Sequence, residues 1–283
     1  MSMNITPVFQ TAFDAEVKVA YGQAGSLRET VKVKSGVIGK EVYFRKVGKA
    51  IANLHIRGNN RITNNMEFSQ VLCPLADYDV FDYVDKLDMK KINFSEIKEV
   101  AQGTGRAAGL KIDQLIIDAL VNGYDDTDME VGTSGAALTV ATLTAAKKKL
   151  DDNGVPNMDR HFLHDGQQMQ DLLADTTLTS SEYNTVKALV NGEINTYVGF
   201  KFHHIATNRV EGGLPSTNSG VDRLAIAYHK EAVGLALGQD IESEMEYMVE
   251  KGGWLVGCSF SAGAVVIDNE GVVGVISRIS DES

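Results

Sequence analysis

The sequence predicts an α+β fold, and the order of its parts leads to that class. A polar N-terminal arm runs into a long basic β-hairpin, and one long glycine-containing helix follows. The rest mixes short helices with strands and closes on a glycine-rich β segment, Lys251 to Arg278. No part of the chain carries a recognisable catalytic motif. A chain with a large projecting hairpin and no active site is typically built to contact copies of itself.

Composition places the chain among soluble globular proteins. Its 283 residues are 43% hydrophobic and 23% charged, enough to bury a sizeable core. No apolar stretch approaches the roughly 20 residues that span a bilayer, and residues 1–13 do not resemble a signal peptide. We therefore expect no contact with a membrane. Cys73 and Cys258 lack metal-site spacing, which favours two inert thiols in a reducing cytosol over an intersubunit disulfide.

Charge is distributed unevenly. Residues 1–70 hold ten Lys or Arg against five acidic residues, whereas the remainder holds 17 against 33. A basic arm and an acidic body on one chain can attract each other between subunits, although a solvated hairpin face is the simpler reading. The net charge of −11 and the absence of interleaved aromatics argue against specific nucleic-acid binding.

Alternating residues predict the arm and the hairpin. Asp14 to Tyr21 is typical of a short helix, and Leu27 to Lys34 of a half-exposed strand. Residues 33–73 are predicted to form one long, poorly buried hairpin, which needs a neighbour because two strands alone are marginal in water. Its β-prone segments are Glu41–Lys46, Ile51–Arg57 and Met66–Cys73.

Helical periodicity predicts a principal helix of roughly 27 residues. Asn93 and Glu96 have the spacing of a capping box, and Asn122-Gly123 ends the helix. Three internal glycines suggest a bend or a very close packing contact: Gly103, Gly105 and Gly109. The preceding segment, Asp77 to Asp88, is predicted as a helix or turn.

The remaining elements are predicted from periodicity and turn residues. The predicted helices are Thr142–Leu150, Gly166–Ala174 and Ser180–Val190. The predicted strands are Arg160–His164, Ile194–Ile205, Arg223–Tyr228, Ala232–Leu237, Ile241–Val249, Trp254–Ile267 and Val272–Ile279. Two loops are expected, an acidic one at Asp125–Gly135 and a polar one at Asn208–Gly220.

Three patterns resemble known binding or catalytic motifs, but each departs from the motif in a required residue or spacing. Residues 103–109 approach a dinucleotide fingerprint but have one residue too many and lie in mid-helix, so we expect no cofactor. The acidic run from Asp125 to Glu130 lacks the glycine and glutamate of a calcium loop. His161, His164 and Asp165 lack a nucleophile elbow, and His203-His204 point oppositely on a strand, so we expect no metal and no catalytic residue.

The chain resembles the major capsid proteins of tailed bacteriophages, which have the Hong Kong 97 fold, and in particular those of short-tailed phages. The resemblance covers nearly the whole chain, and it depends on the order of its segments more than on any single one. The segments are LRETVKVKSGVIGKEVYFRKVGKA, FDYVDKLDMKKINFSEIKEVAQGTGRAAGLKIDQLIIDAL, LTAAKKKLDDNGVP, DRHFLHDGQQMQDLL, LAIAYHKEAVGLALGQDIESE and GAVVIDNEGVVGVI.

The resemblance implies a lattice subunit without enzymatic activity. Its expected parts are an N-terminal arm (1–32), an extended loop (33–76), a peripheral domain with the spine helix (77–154), an axial α/β domain (155–235) and a return to the peripheral domain (236–283). Expected intersubunit contacts are Lys40, Arg45, Lys46, Lys49, Arg57, Arg61, Asp82 and Asp85. The expected axial loop includes Asn208, Glu211, Gly212 and Gly213.

The resemblance also implies partners. Copies of the chain would form pentamers and hexamers of an icosahedral head shell around double-stranded DNA, which they would contact non-specifically. A separate scaffolding protein, a portal protein and, optionally, a decoration protein would take part, with assembly in the host cytoplasm and the virion as the final location. Two alternatives stay open: an encapsulin-like nanocompartment shell, and a cytosolic α/β enzyme using the His161–Asp165 region.

Overall fold

The structure is a computed structural model that describes most of the chain. The described residues are 7–24, 27–48, 50–55, 57–58, 60, 66–85, 96–175, 186, 195–207 and 213–279.

Four α-helices and fourteen strands lie within these residues. The helices are α1 (Pro7–Ala24), α2 (Glu96–Gly123), α3 (Val140–Asp152) and α4 (Gly166–Ala174). The strands of the N-terminal part are β1 (Lys32–Ser35), β2 (Glu41–Val47), β3 (Phe68–Pro74), β4 (Ala76–Asp85) and β5 (Glu130–Gly132). Those of the C-terminal part are β6 (Arg160–His164), β7 (Thr196–Tyr197), β8 (Phe200–His204), β9 (Ser216–Thr217), β10 (Asp222–His229), β11 (Val233–Leu237), β12 (Glu242–Met248), β13 (Gly253–Val266) and β14 (Val272–Arg278).

A five-stranded sheet is organised around the 14-residue strand β13. β11 and β12 pair with one edge of β13 and β4 with the other, while β1 pairs in parallel with β11. Alternate residues of β13, among them Val256, Cys258 and Phe260, are buried in the core. Since side chains alternate across a strand, the residues between them face outward.

A seven-stranded sheet runs in the order β5-β14-β10-β6-β8-β7, with β9 on β10. Both its faces are covered, as β10 demonstrates. Leu224 and Ile226 belong to the core that contains α2, whereas Ala225 and Ala227 belong to a second core with α3 and α4. An unbroken buried strand of this kind is typical of a sheet between two layers of helix.

The helix α2 is the centre of the larger core. Its buried residues follow the helical period and include Ala101, Ala108, Ile112, Ile116 and Leu120. One side of α2 packs against α1 and the inner face of the five-stranded sheet. The helix therefore links the two sheets.

Residues 27–31 fix the point from which β1 and the hairpin depart. The buried carboxylate of Asp113 in α2 accepts a hydrogen bond from the main-chain nitrogen of Leu27 at 3.0 Å. The hydroxyl groups of Thr30 and Tyr228 are 2.5 Å apart, which ties the same turn to β10. Buried polar groups of this kind need their partners, so the departure point is held firmly.

β2 and β3 form a separate two-stranded hairpin. The predicted hairpin of residues 33–73 is too long, because β1 pairs with β11 in the five-stranded sheet rather than with β2. Residues 51–55 have no regular structure, contrary to the predicted strand Ile51–Arg57.

Two further predictions were wrong. The segment predicted as a helix or turn at residues 77–88 belongs, as far as Asp85, to the strand β4, whose ten residues all pair with β13; residues 86–88 lie outside the described residues. The acidic loop predicted at Asp125–Gly135 contains β5, which pairs in parallel with β14.

Several other boundaries differ from the prediction or lie outside the described residues. The predicted short helix Asp14–Tyr21 is part of the longer α1. The predicted strand Ile194–Ile205 is a hairpin of β7 and β8, turned at Val198 and Gly199 with positive φ. The capping residue Asn93 and nearly all of the helix predicted at Ser180–Val190 lie outside the described residues.

Candidate assembly surfaces

The outer face of the hairpin carries four uncovered apolar side chains. Tyr43, Val47, Phe68 and Leu72 are 49%, 56%, 70% and 43% exposed. Tyr43 lies opposite Leu72, and Val47 lies opposite Phe68, so the four side chains form two cross-strand pairs on one face. We call these four residues the hairpin stripe. Exposed apolar pairs of this kind, here separated by Arg45 and Gln70, are typical of an interaction surface.

The inner face of the hairpin anchors it to its own subunit. Val42 and Phe44 are buried with Cys73, Ala236 and Ile267 in a small core. The Phe44 ring lies directly over Gly234, where a Cβ atom would come within 2.8 Å of it. Both faces of β2 thus carry apolar residues, but the subunit covers only one of them.

The cations predicted as contacts occupy different positions. Lys40, Arg45 and Arg57 are exposed and make no ion pair with any other described residue. Lys46 donates a hydrogen bond to Asp268 at 2.7 Å and so fastens the hairpin to its own chain. Lys49 and Arg61 lie outside the described residues.

The predicted acidic contacts lie on β4. Asp82 is exposed, and its carboxylate accepts a hydrogen bond from the main-chain nitrogen of Tyr83 at 2.7 Å. Asp85 is half-buried and stands opposite Gly253 at the end of the strand. By alternation along β4, Asp82 lies on the same side as the buried Val84, whereas Asp85 lies on the outward side with Asp77 and Asp79.

The glycines of α2 have different surroundings. A Cβ on Gly105 would lie 2.5 Å from the main-chain oxygen of Val17, whereas one on Gly103 would meet nothing within 4 Å. Gly109 is buried. The sequence left two interpretations open, a bend or a close packing contact. Gly105 is at a close packing contact. The helix α2 runs through all three glycines without interruption.

The predicted polar loop Asn208–Gly220 is described from Gly213 onward, and this part contains the short strand β9. Asn208, Glu211 and Gly212 lie outside the described residues, and Gly213 is exposed. The next residue, Leu214, is buried, and its carbonyl oxygen accepts a hydrogen bond from Arg223 at 2.7 Å. The same Arg223 contacts Asp165 at 3.2 Å, so the loop departs from a fixed base.

The histidine cluster has structural partners. His161 Nδ1 lies 2.9 Å from His203 Nε2, and His164 Nδ1 lies 2.9 Å from the carbonyl oxygen of Asp165. Burial lowers the pKa of His161 and of His164 to about 4, so both rings are neutral near pH 7. Asp165 forms a capping box with Gln168 at the start of α4.

A cleft of about 1140 Å³ lies beside His161 and His203. Two ion pairs lie on its rim: Lys32 contacts Glu231 at 2.6 Å, and Lys201 contacts Asp159 at 2.8 Å. Among the described residues no group of three or more His, Cys, Asp or Glu is arranged to hold a metal ion.

Two other sequence features have simple explanations. In the acidic run, the Asp125 carboxylate accepts hydrogen bonds from the main chain of Thr127 and Asp128, which is an ordinary turn. Cys73 and Cys258 are both buried and unpaired, and burial raises the pKa of each thiol to about 11. No described helix is long and apolar enough to cross a membrane.

Sequence reasoning missed the hairpin stripe. It selected the charged residues of the hairpin and overlooked the four exposed apolar side chains. The signal was present in β2, where Val42 and Phe44 alternate with Tyr43 and Val47. A two-stranded hairpin with apolar residues on both faces requires two covering surfaces.

A fold of this kind, with a projecting hairpin whose outer apolar side chains are uncovered, is typical of a self-associating structural subunit. Comparison with known proteins agrees with that class. The family model described as phage capsid protein matches residues 5–277. The chain therefore belongs to the phage capsid protein family. It is a major capsid protein that forms the phage head shell and is a component of the virion.

Solved structures share the fold at low sequence identity. The capsid of cyanophage P-SCSP1u matches with a TM-score of 0.66 at 17% identity, over 89% of this chain and 87% of that one. The capsid of Ralstonia phage GP4 has a TM-score of 0.67 at 13% identity, over 90% and 88%. A virus-like particle from Pyrococcus furiosus has a TM-score of 0.64 at 12% identity, over 94% and 99%. No curated protein matches the chain by sequence.

Proposed function

We propose that the chain tiles an icosahedral head shell as pentamers and hexamers, with the hairpin of each copy packed on a neighbouring copy. The hairpin stripe is the observation that carries this proposal. Its four apolar side chains are uncovered in the single subunit, although the rest of the hairpin is anchored. Burying an apolar side chain contributes about 1.5–3 kcal/mol, so covering the stripe on assembly favours the shell.

The parts of the chain take the roles expected from the predicted domain boundaries. Residues 1–32 serve as the arm, 33–76 as the extended loop, and 77–154 with 236–283 as the peripheral domain around α2. Residues 155–235 serve as the axial domain, whose loop at Asn208–Gly213 meets its copies around the symmetry axes. The fixed base of this loop at Leu214 and Arg223 supports the assignment, because an axial contact needs a defined starting point.

Double-stranded DNA fills the proposed shell and is contacted without sequence preference. The net charge of −11 disfavours tight binding to phosphates, which suits a container that must allow its contents to leave. A separate scaffolding protein directs assembly in the host cytoplasm, a portal protein replaces one pentamer, and a decoration protein is an optional addition.

Electron microscopy of the purified protein, expressed alone and with its neighbouring genes, tests this proposal. Shells, or pentameric and hexameric capsomers, would support it. A uniform dimer or tetramer that never assembles would overturn it. Shells that enclose an enzyme and no nucleic acid would replace it with the nanocompartment function.

A further inference from the structure

The strand β1 has a free edge. It lies at the end of the five-stranded sheet, and among the described residues it pairs only with β11. All four of its residues, from Lys32 to Ser35, are exposed. On the side away from β11, its main-chain groups meet no main-chain partner in the part of the chain that the structure describes. A free edge of this kind is a template on which another extended chain can pair.

A groove of about 790 Å³ runs along this edge. One wall is β1 with the turn that follows it, from Lys32 to Ile38, and the other wall is β2, from Glu41 to Arg45. No main-chain hydrogen bond between described residues joins β1 to β2. The two consecutive strands are therefore splayed, and the space between them is open. We call this space the edge groove.

The edge groove is basic, although the chain as a whole has a net charge of −11. Its charged lining residues are Lys32, Lys34, Arg45 and Glu41. Lys32 contacts Glu231 at 2.6 Å. Lys34 and Arg45 are exposed, and neither makes an ion pair with another described residue. Carboxylates on an incoming chain would therefore meet two cations that no described residue neutralises.

The side chains of β1 define the pattern of a chain that pairs with it. Lys32 and Lys34 lie on one face of the strand, and Val33, which is 39% exposed, lies on the other. Ile38 also lines the groove and is 99% exposed. An added strand has the same alternation as β1, so its residues beside the lysines should be acidic and those beside Val33 apolar.

We propose that the edge groove receives an extended segment of a second protein, in which acidic and apolar residues alternate, as an added strand on β1. Carboxylates of this segment lie beside Lys34 and Arg45, and its main chain pairs with the free edge. In such complexes the main-chain hydrogen bonds give affinity and the side chains give specificity. The second protein is one that assembles with the shell, and in that respect the proposal rests on the proposed function.

The walls of the groove favour a lone segment over a strand of another copy. Two described strands of this chain approach the required pattern, β4 and β12, and both are paired with β13 along their whole length. Either strand would have to bring its sheet with it. The edge groove is bounded on both sides by strands, so it admits one extended chain rather than the edge of a folded sheet.

Peptide binding to the unassembled subunit tests the contact. The probe is a fluorescein-labelled peptide of alternating glutamate and valine, seven residues long, and a second probe has lysine in place of glutamate. Fluorescence anisotropy should show that the acidic peptide binds at least ten-fold more tightly. Non-specific attraction to a chain of net charge −11 would favour the basic peptide instead, and that result would overturn the proposal.

Charge reversal places the binding site in the groove. Lys34→Glu with Arg45→Glu should reverse the preference between the two peptides, because like charges then face each other. Arg106→Glu with Lys148→Glu is the matched control, since it changes the net charge equally at exposed positions that do not line the groove. The control should keep the preference of the unaltered protein. Equal effects in the two folded variants, as judged by circular dichroism, would overturn the assignment to the groove.

Methylation of the peptide separates strand addition from attraction between charges alone. Along an added strand, alternate residues direct their N–H groups at the neighbouring strand. One further probe is therefore N-methylated at its valines and another at its glutamates. At least one of them should bind ten-fold more weakly than the unmethylated peptide. Equal binding of all three acidic peptides would overturn the strand addition.

Hydrogen exchange identifies the occupant, and it separates this inference from the proposed function. In shells of this protein alone, the outward amides of β1 should exchange as fast as in the subunit, and the acidic peptide should slow them. Slow exchange without the peptide would mean that another copy fills the groove, which would overturn the assignment to a second protein. Shells whose subunits bind no acidic peptide would overturn only this inference. A subunit that binds the peptide but never forms shells would support it and overturn the proposed function.

Discussion

A Cβ atom on Gly105 would lie 2.5 Å from the main-chain oxygen of Val17 and 2.9 Å from the Cβ of Ala20. The helices α1 and α2 therefore cross at a point where no side chain fits between them. The atoms in the way belong to the backbone and to a short side chain, which cannot rotate aside. Glycine at this position is a condition for docking the arm on the long helix.

Replacing Gly105 and Gly103 with alanine should have opposite effects. Gly105→Ala should lower the free energy of unfolding by about 1–3 kcal/mol, because α1 must move away. Gly103→Ala should raise it by up to about 1 kcal/mol, since a Cβ there meets nothing within 4 Å and alanine favours helix. Urea denaturation of the unassembled subunit measures both. If both substitutions changed the free energy of unfolding by the same amount, α1 and α2 would not be closely packed at Gly105.

An ion pair with a buried carboxylate lies beside the second core. Arg278 of β14 contacts both carboxylate oxygens of Asp171 in α4, at 2.8 and 3.2 Å. The Asp171 side chain is only 1% exposed, and it also accepts from the main-chain nitrogen of Leu138. The pair thus ties α4 to the seven-stranded sheet.

Removing the arginine should lower the stability of the subunit. Arg278→Met leaves the Asp171 carboxylate buried without its cation, and the free energy of unfolding should fall by about 3 kcal/mol. Lys201→Met, which removes the exposed pair with Asp159, is the matched control and should leave stability unchanged within error. Thermal denaturation of the unassembled variants compares them, and similar melting temperatures would show that the Asp171 pair has no special role.

The parts of the fold that sequence reasoning predicted well depend on neighbours close in the chain. The bounds of β6 and α4 agree with the prediction because turn residues and a capping box delimit them locally. β4 was predicted as a helix or turn because Phe81 and Tyr83 obscure its alternation. These rings occupy the exposed face, and the strand is defined by its pairing with β13, far along the chain.

The candidate surfaces were hard to predict for the same reason, because they depend on strands that are far apart in the sequence. The basic residues of the hairpin are visible in the sequence, and Arg45, one of the predicted contacts, is exposed on the hairpin. The acidic residues are spread over many segments, and only the register of β4, β13 and β12 brings Asp79 and Glu244 onto one face. Sequence reasoning selected Asp82, which alternation places on the other side of the strand.

The buried histidines predict that the subunit loses stability in acid. The folded-state pKa of His161 and of His164 is about 4, below the ordinary value of 6.5. Between these two values the unfolded chain binds more protons, so stability is complete above pH 6.5 and falls as the pH drops towards 4. The loss is on the order of 3 kcal/mol for His164, and it is smaller for His161, whose ring is more screened by solvent.

Denaturation of the unassembled subunit at several pH values measures this loss. His164→Phe removes one titrating ring among the aromatic neighbours Phe162 and Phe202, and it should flatten the decline between pH 6.5 and 4. His55→Phe changes an exposed histidine and should leave the decline unaltered. A decline that is the same in both variants would show that buried His164 does not cause it.

The two faces of the hairpin should respond differently to the loss of a phenylalanine. Phe44 is buried over Gly234, so Phe44→Ala should lower the free energy of unfolding of the subunit by about 3 kcal/mol. Phe68 is 70% exposed, so Phe68→Ser should leave the subunit as stable as before. Its effect should fall on assembly, because the substitution removes apolar surface that only a neighbour can cover. Urea denaturation reports the first quantity, and analytical ultracentrifugation with electron microscopy reports the second. A Phe68→Ser protein that builds shells at the normal yield would show that the hairpin stripe is not a contact between subunits, since nothing else among the described residues covers that side chain.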